Sequence, residues 1–524
     1  MARQCYIEPG SMTKPLSNEQ YVEMINTAQV YQAAHRTALQ HAPKLSKKLN
    51  RQIFLKREDQ QPVFSFKIRG AANKIFTLTP EELKSGVICS SAGNHAQGVA
   101  MAAAARSIPA HIVMPISAPA IKVEAVESFG AKVTLHGDHY DEAQTKAYEI
   151  AEKEDLCFIH PFNDPLVIAG QGTIAKEILE QTDEIAAIFV PIGGGGLASG
   201  IATYAKTLNP NILVIGVEPE EAASMQKAFQ ENGPCEIEHV GIFADGVAVK
   251  KVGEETYRLC KEHLDEIITV TTDQTCAAIQ DIFEDTRTVV EPAGALALAG
   301  IRKYFKENPE SPLGSSSQTI AAIVCGANMN FERLRHVSER AAIGKDREAL
   351  FTVQIPEERG SFLNFCATIG DRAITEFNYR SGHHKTARIF VGIENGGSAD
   401  TRKEIINHLE NSNYKATDLT ENELAKLHLR HLTPGSDQHI KDERLYRFQF
   451  PERRGALRKF LEAIGEDFNI TLFHYRNHGS DYGRVLAGIQ VPDMQLAEFQ
   501  DHLNTLGYKY WDETENEGYQ EFLK

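Results

Sequence analysis

Lys67 stands in Pro62-Val63-Phe64-Ser65-Phe66-Lys67-Ile68-Arg69-Gly70-Ala71, one amine among aromatic and apolar residues. Apolar surroundings disfavour an ammonium, so the pKa falls towards the range in which the free amine attacks a carbonyl and forms a Schiff base. A lysine alone is ordinarily a solvated surface residue, and its company in the chain decides how it is read. Two glycine-bearing turns supply that company, Ser90-Ser91-Ala92-Gly93-Asn94-His95 and Gly193-Gly194-Gly195-Gly196-Leu197. Each stands between a strand-like and a helix-like run, where unpaired backbone N–H groups and the helix dipole hold anions. Consecutive glycines let those N–H groups close around a phosphate with no Cβ in the way and with φ of either sign. Taken alone, the tetraglycine also reads as a flexible turn. Neither G-x-G-x-x-G with a later acid nor G-x-x-x-x-G-K-[ST] is present, so neither a dinucleotide nor a nucleoside triphosphate is expected. A covalent amine, a phosphate cradle and an asparagine-bearing turn are together the parts that hold pyridoxal 5′-phosphate, whose ring acts as an electron sink.

Regular elements must carry these residues. From Gly86 to about Pro161, β-rich runs alternate with helical stretches: Val87-Ile88-Cys89, Ala96 to Arg106, Ala110 to Met114, Ala118 to Phe129, Lys132 to Leu135 and Glu142 to Glu154. That alternation predicts successive βαβ units. It returns at Ala187 to Ile192, passes the tetraglycine, and continues with a helix over Leu197 to Leu208 and a strand over Ile212 to Val217. A last apolar run, Thr319 to Val324, leads into Cys325-Gly326-Ala327-Asn328. The stretch before it, Asn308 to Gln318, is rich in Pro and Ser and reads as an exposed loop. The expected fold class is α/β, with parallel sheets and helical crossovers.

After about Arg347 the texture changes, and the tail repeats itself at a spacing of about 95 residues. Phe351-Thr-Val-Gln-Ile-Pro-Glu-Glu-Arg-Gly360 parallels Tyr446-Arg-Phe-Gln-Phe-Pro-Glu-Arg-Arg-Gly455, and Phe377-Asn-Tyr-Arg380 parallels Phe473-His-Tyr-Arg476. Each copy predicts strand, Pro-Glu turn, helix (Ser361 to Ile369, Ala456 to Ile464), strand, strand, helix, strand. The result is a small α+β module in tandem.

At roughly 150 residues per domain, 524 residues make about three domains, or two if one is large. Hydrophobic residues at 42% and charged residues at 24% are ordinary globular usage, which excludes collagen-like and disordered chains. Fifty-five Lys and Arg against 71 Asp and Glu leave a charge of −16, so neither nucleic acid nor an anionic membrane is an expected partner. No run approaches the about 18 apolar residues of a spanning helix, and Met1 to Pro15 lacks a signal-peptide core, so a cytoplasmic protein is expected. The eight cysteines are dispersed without a C-x-x-C pair, and reduced thiols are expected.

Ser65 to Ala71, Ser91 to Gly98, Gly193 to Leu197, Glu291-Pro292-Ala293-Gly294-Ala295 and Cys325-Gly326-Ala327-Asn328 resemble the motif set of the pyridoxal-phosphate threonine dehydratases. The resemblance covers nearly the whole chain. The doubled tail is similar to the paired ACT-like modules of the biosynthetic members, which short catabolic dehydratases and serine racemases lack. What this implies is a fold type II (tryptophan synthase β-like) catalytic domain over 1–346, then ACT-like modules over 349–421 and 444–515. It further implies elimination and deamination of L-threonine, and of L-serine too, to a 2-oxoacid and ammonia, as the first step of isoleucine biosynthesis. Isoleucine would inhibit, valine would relieve, and the assembly would be a homotetramer.

The resemblance also distributes roles. Lys67 would hold the cofactor covalently and then act as the base at Cα. Gly193, Gly194, Gly195, Gly196 and Leu197 would offer N–H groups to the phosphate, Asn94 would bond the ring 3′-oxygen, and Phe66 would pack on the ring. The turn Ser91, Ala92, Gly93, Asn94, His95 would receive the substrate carboxylate. Cys325 falls beside the pyridine nitrogen, where a thiol is a weaker partner than a carboxylate, so β-elimination is favoured over transamination. Departure of hydroxide needs an acid: the cofactor phosphate and Glu291 are both candidates, and Glu291 also reads as a helix N-terminal carboxylate before Pro292. In the tail, Arg380 and Arg476 could pair with an effector carboxylate, with Tyr379 and Tyr475 walling the pocket; packing between the modules explains the same residues nearly as well.

Other signals are discounted. His383-His384 and His428-x-x-His431 lack a supporting ligand set and read as solvated surface histidines. Glu218-Pro219-Glu220-Glu221 reads as a cation holder or equally as an acidic turn, and no metal is expected. Asn469-Ile470-Thr471 reads as strand rather than as a glycosylation acceptor. Thr37-Ala38-Leu39 replaces the usual Thr-Pro-Leu, and Cys325 is the less common residue at its place. Competing readings are another fold type II outcome (serine dehydratase, racemase or β-replacement synthase), which the doubled tail opposes, and an amino-acid sensor on a vestigial scaffold. The joint presence of Lys67, Asn94, the tetraglycine and Cys325 opposes the latter.

Overall fold

The computed structural model describes residues 15–313, 318–356, 361–370, 372, 374–379, 386–431, 441–451, 460, 464, 468, 470–476 and 482–523. They fall into two units, Met1–Met329 and Asn330–Lys524.

The first unit is built on two sheets. Across the larger, six-stranded one the order is Leu39–His41, Gln52–Arg57, Thr319–Val324, Ile185–Pro191, Leu213–Pro219, Glu266–Val270. Its strands run parallel, apart from Leu39–His41 against Gln52–Arg57. The smaller sheet has four parallel strands, in the order Lys132–Leu135, Ala110–Met114, Val87–Ser90, Cys157–Phe158. Every residue of Thr319–Val324 and of Ala110–Met114 is buried. A parallel strand covered on both faces has no solvent side, and for that reason these segments read as unbroken apolar runs. The helices follow the strand ends: Asn94–Ala105 after Val87–Ser90, Gly196–Leu208 after Ile185–Pro191. Gly98 of the motif explains itself here, since a Cβ on it would come within 3.2 Å of Lys67 C and O and Ile68 N. The two helices that carry Asn94 and Lys67 therefore pack backbone to backbone.

The second unit contains the repeat. Two four-stranded antiparallel sheets have the same order, Ile374–Tyr379, Thr386–Glu394, Glu348–Pro356, Lys415–Asp418 and Ile470–Arg476, Tyr482–Gln490, Glu443–Pro451, Lys509–Asp512. The register repeats as well: Leu350 pairs with Gly392 and Leu445 with Gly488, and an irregularity falls between Ile374 and Glu376 in one sheet and between Ile470 and Leu472 in the other. Each sheet has its own core, Phe351, Val353, Phe365 and Val391 in the first and Phe448, Phe460, Val485 and Phe499 in the second. On the opposite faces Leu350, Phe390, Leu445 and Leu486 join one shared cluster with Leu424, Tyr519 and Phe522. Most of the expected helix Ala456 to Ile464 lies outside the described residues, as do Arg380, His383, His384 and Asn469 and the side chains of Tyr379, Tyr475 and Arg476.

One reading needs correction. His428 is not a solvated surface histidine: its exposure is 0%. It follows the short helix Glu423–Leu427, whose last four residues are buried, and so continues into the same interior. No helix among the described residues is long and apolar enough to cross a membrane.

Candidate active site

Lys67 is the first residue of helix Lys67–Thr77, so its side chain leaves from a helix start. A backbone zipper holds the segment before it: Phe66 N donates to Cys325 O at 3.1 Å and Ala327 N to Phe64 O at 2.9 Å. Phe64 takes φ +53°, a costly conformation for a bulky residue, three positions before Lys67. Lys67 Nζ donates to Pro161 O at 2.9 Å and lies 5.4 Å from the Phe66 ring centre. Enclosure lowers its pKa to about 8, against the pull of Cys325 and Glu291. The lysine thus gives up its proton far more readily than a surface lysine, although it still carries charge near pH 7.

The Ser91–His95 turn follows strand Val87–Ser90, and Asn94 opens its helix. Ser91 N bonds Val113 O, and Gly93 N bonds Ser91 Oγ. The N–H groups of Ala92, Asn94 and His95 meet no acceptor among the described residues. His95 turns inward, with Nε2 2.8 Å from Ile159 O. Burial, and then the charge of Lys67, pushes the rings of His95 and His160 down to about 3, so both are neutral.

Asn94, Glu291 and Asn328 form one hydrogen-bonded cluster. Asn94 Nδ2 donates to Glu291 Oε1 at 2.7 Å, Asn328 Nδ2 to Asn94 Oδ1 at 2.7 Å, and Asn328 N to Glu291 Oε2 at 3.1 Å. Glu291 precedes helix Pro292–Glu307 but caps none of its N–H groups. Its helix-end placement is as expected, and its carboxylate serves the cluster instead. Burial, and then the charge of Asp245, lifts it to about 7, against the bonds from Asn94 and Asn328 and the charge of Lys122. Cys325 is buried beneath the zipper, and burial followed by Glu291 raises its thiol far enough to keep it neutral.

In the tetraglycine, Gly195 has φ +93°, and a Cβ on Gly194 would overlap Phe162 Cδ1 at 2.2 Å. The glycines are thus demanded by one left-handed residue and by the Phe162 ring. No acceptor among the described residues takes the N–H groups of Gly193 to Leu197. Thr256 Oγ1 anchors the turn by donating to Gly194 O at 2.6 Å. Phe162 neighbours Pro161, the Lys67 partner, so amine and N–H row belong to one cleft. The segment Asp245–Val247 closes the other side: a Cβ on Gly193 would lie 2.9 Å from Val247 Cα, and one on Gly246 3.4 Å from Glu291 Oε1.

Pro161, Phe162, Asp245 and Thr256 carry no motif of their own, and Asn328 was legible only as the end of one. Glu218 turns inward and accepts from Met225 N and Gln226 N, both at 2.8 Å. Among the described residues no three His, Cys, Asp or Glu side chains converge as metal ligands.

The turns at Ser91, at the tetraglycine and at Cys325 all lie at the carboxyl ends of parallel strands, where such sheets bind ligands. A partly buried amine of lowered pKa in one cleft with a row of unpaired N–H groups fits an aldehyde that carries a phosphate, the equipment of a pyridoxal-phosphate-dependent enzyme.

The pyridoxal-phosphate-dependent enzyme family matches residues 30–326, and the C-terminal regulatory domain of threonine dehydratase matches 339–429 and 434–523. The biosynthetic L-threonine dehydratase of Burkholderia multivorans is 51% identical over 97% of this chain and 100% of its own length. That of Escherichia coli is 49% identical over 98% and 99%. Among solved structures, the processed threonine deaminase isoform 2 of Solanum lycopersicum is similar with a TM-score of 0.60 and 46% identity, covering 63% of this chain and 95% of that one. Maize serine racemase follows at 0.57 and 33%, covering 61% and 96%. The chain belongs to the biosynthetic threonine dehydratases, lyases that depend on pyridoxal phosphate.

Proposed function

We propose that this chain eliminates water from L-threonine, and from L-serine too, and that water then returns as ammonia leaves, giving 2-oxobutanoate and ammonia from threonine under amino-acid control. The observation that carries the reading is the single cleft in which the Lys67 amine, the Gly193–Leu197 N–H row and the Asn94–Glu291–Asn328 cluster meet. When bound, pyridoxal phosphate supplies an electron sink conjugated to the substrate α-carbon. Gly193 to Leu197 would hold its phosphate, Asn94 and Phe66 would orient its ring, and Lys67 would hold its aldehyde. Lys67 Nζ would take the proton from Cα; the Pro161 carbonyl aims that nitrogen, and a pKa lowered to about 8 frees the amine more readily than on a surface lysine. N–H groups of the Ser91–His95 turn hold the substrate carboxylate. Glu291, whose pKa burial and Asp245 raise to about 7, holds its proton far more readily than an ordinary carboxyl and can donate it to the departing hydroxyl.

Cys325 beside a ring nitrogen offers a neutral thiol, with no charge to keep a proton there. Cys325→Asp is expected to raise amine-transfer by-products relative to 2-oxobutanoate, read by chromatography of products; unchanged partitioning would count against this role.

The second unit is read as two regulatory modules, over 349–421 and 444–515, that take isoleucine as inhibitor and valine as its opponent, with Tyr379, Arg380, Tyr475 and Arg476 as candidate contacts. A cytoplasmic homotetramer completes the proposal. Its test is 2-oxobutanoate formation titrated with isoleucine and repeated with valine. A fall with isoleucine and recovery with valine is expected; indifference to isoleucine removes the assigned effector.

A further inference from the structure

Glu291 is the candidate acid that the protein itself supplies to the proposed reaction, and its proton answers to the charges around it. Asn94 and Asn328 bond it but are uncharged. The charged or titratable groups that act on it or feel it are Lys67 from the lysine helix, Cys325 from the strand end, Asp245 from the segment Asp245–Val247, and Lys122 from helix Ala120–Glu127. Lys67 and Cys325 belong to the reaction itself. Asp245 and Lys122 do not.

These two form an ion pair, Nζ to Oδ2 at 3.0 Å, with about a quarter of each side chain exposed. The pair joins two parts of the first unit: Lys122 belongs to a helix of the smaller sheet, and Asp245 to a segment that lies on the phosphate turn through Val247 and on the Asn94–Glu291 pair through Gly246. An ion pair about a quarter open to solvent contributes little stability. Its placement beside a buried carboxyl is another matter, because a partly desolvated charge acts on a neighbour's proton far more strongly than it would in water.

The geometry points to the Asp245–Lys122 pair as the positioning device for the Glu291 proton, with Asp245 retaining the proton and Lys122 drawing it off. The two members then oppose one another, although a substitution in either breaks the same contact. Burial and Asp245 raise the Glu291 pKa while Lys122 lowers it, in agreement with this arrangement. This inference rests on the proposed role of Glu291, yet the proton can be followed without any turnover.

The test is an infrared titration of the full-length holoenzyme, in which the protonated carboxyl band of Glu291 is identified by its loss in Glu291→Gln. Asp245→Asn is expected to move the midpoint of that band down by about half a pH unit or more, and Lys122→Met to move it up by a similar amount. The pH profile of kcat/KM should move with each. A purely structural pair would move both variants the same way or neither. Opposite displacements support the inference, and any other pattern overturns it. Both side chains are partly exposed, and Lys122→Gln replaces Lys122→Met should the methionine variant fail to fold. A protein that releases no 2-oxobutanoate but shows the opposed shifts would reject the proposed reaction and leave this assignment intact.

Discussion

Lys67→Ala is expected to release 2-oxobutanoate from L-threonine at least about a thousandfold more slowly than the parent, because one substitution removes both the covalent attachment and the base. The variant should also lose the visible absorbance of lysine-bound cofactor while keeping its fold. Lys67 packs at a helix start and makes one side-chain hydrogen bond, to Pro161 O. Losing that bond frees the Pro161 carbonyl, and a water in the space the side chain leaves can replace the amine. Steady-state rates and absorbance spectra of the same sample check both expectations. A loss smaller than about tenfold would mean that another group takes the Cα proton.

Arg69, two residues further along the helix, is expected to matter for a different reason. Its guanidinium is wholly buried and donates to Glu58 Oε2 at 2.7 Å, Glu58 Oε1 at 2.8 Å and Glu177 Oε1 at 2.6 Å. Lys56 Nζ, equally buried, donates to Glu177 Oε2 at 2.6 Å. Burial works against the charge on Arg69, and Glu58 and Glu177 outweigh it. Arg69→Met keeps the volume but leaves two buried carboxylates facing one lysine, and a loss of about 3–5 kcal/mol is expected. Urea unfolding followed through the cofactor absorbance measures it, and a loss under about 1 kcal/mol would show that the carboxylates find other partners. The pH dependence has a definite sign. Burial raises the Glu177 carboxyl, but Arg69 and Lys56 overcome it and bring it down to about 2. The stability it contributes is therefore present above the unfolded value of about 4.3 and is lost as pH falls towards 2. The deficit of Arg69→Met should narrow over that same interval.

The sequence announces most of the catalytic unit because its strands are buried on both faces. Thr319–Val324 and Ala110–Met114 have no polar alternation to confuse them with exposed strands, and the turns that follow carry the chemistry. The tandem modules are equally legible, since a repeat shows itself against its own copy down to the one-residue change in spacing. Contacts between segments distant in sequence were not legible. Phe162 and Asp245 have no pattern of their own, and only the folded chain brings them to the tetraglycine and to Glu291. Nothing in the sequence pairs Arg69, Glu58, Glu177 and Lys56; strand Gln52–Arg57, the turn Glu58–Gln60 and helices Lys67–Thr77 and Pro165–Gln181 bring them together. His428 failed for a related reason: a five-residue helix is too short to display a buried face by periodicity.

The most direct measurement is the joint yield of 2-oxobutanoate and ammonia from L-threonine by the purified, pyridoxal-phosphate-loaded chain. Equal amounts of both products, one of each per threonine consumed, are the expected result. A loaded protein that consumes threonine without releasing ammonia, or releases neither product, would contradict the assignment of this cleft to β-elimination.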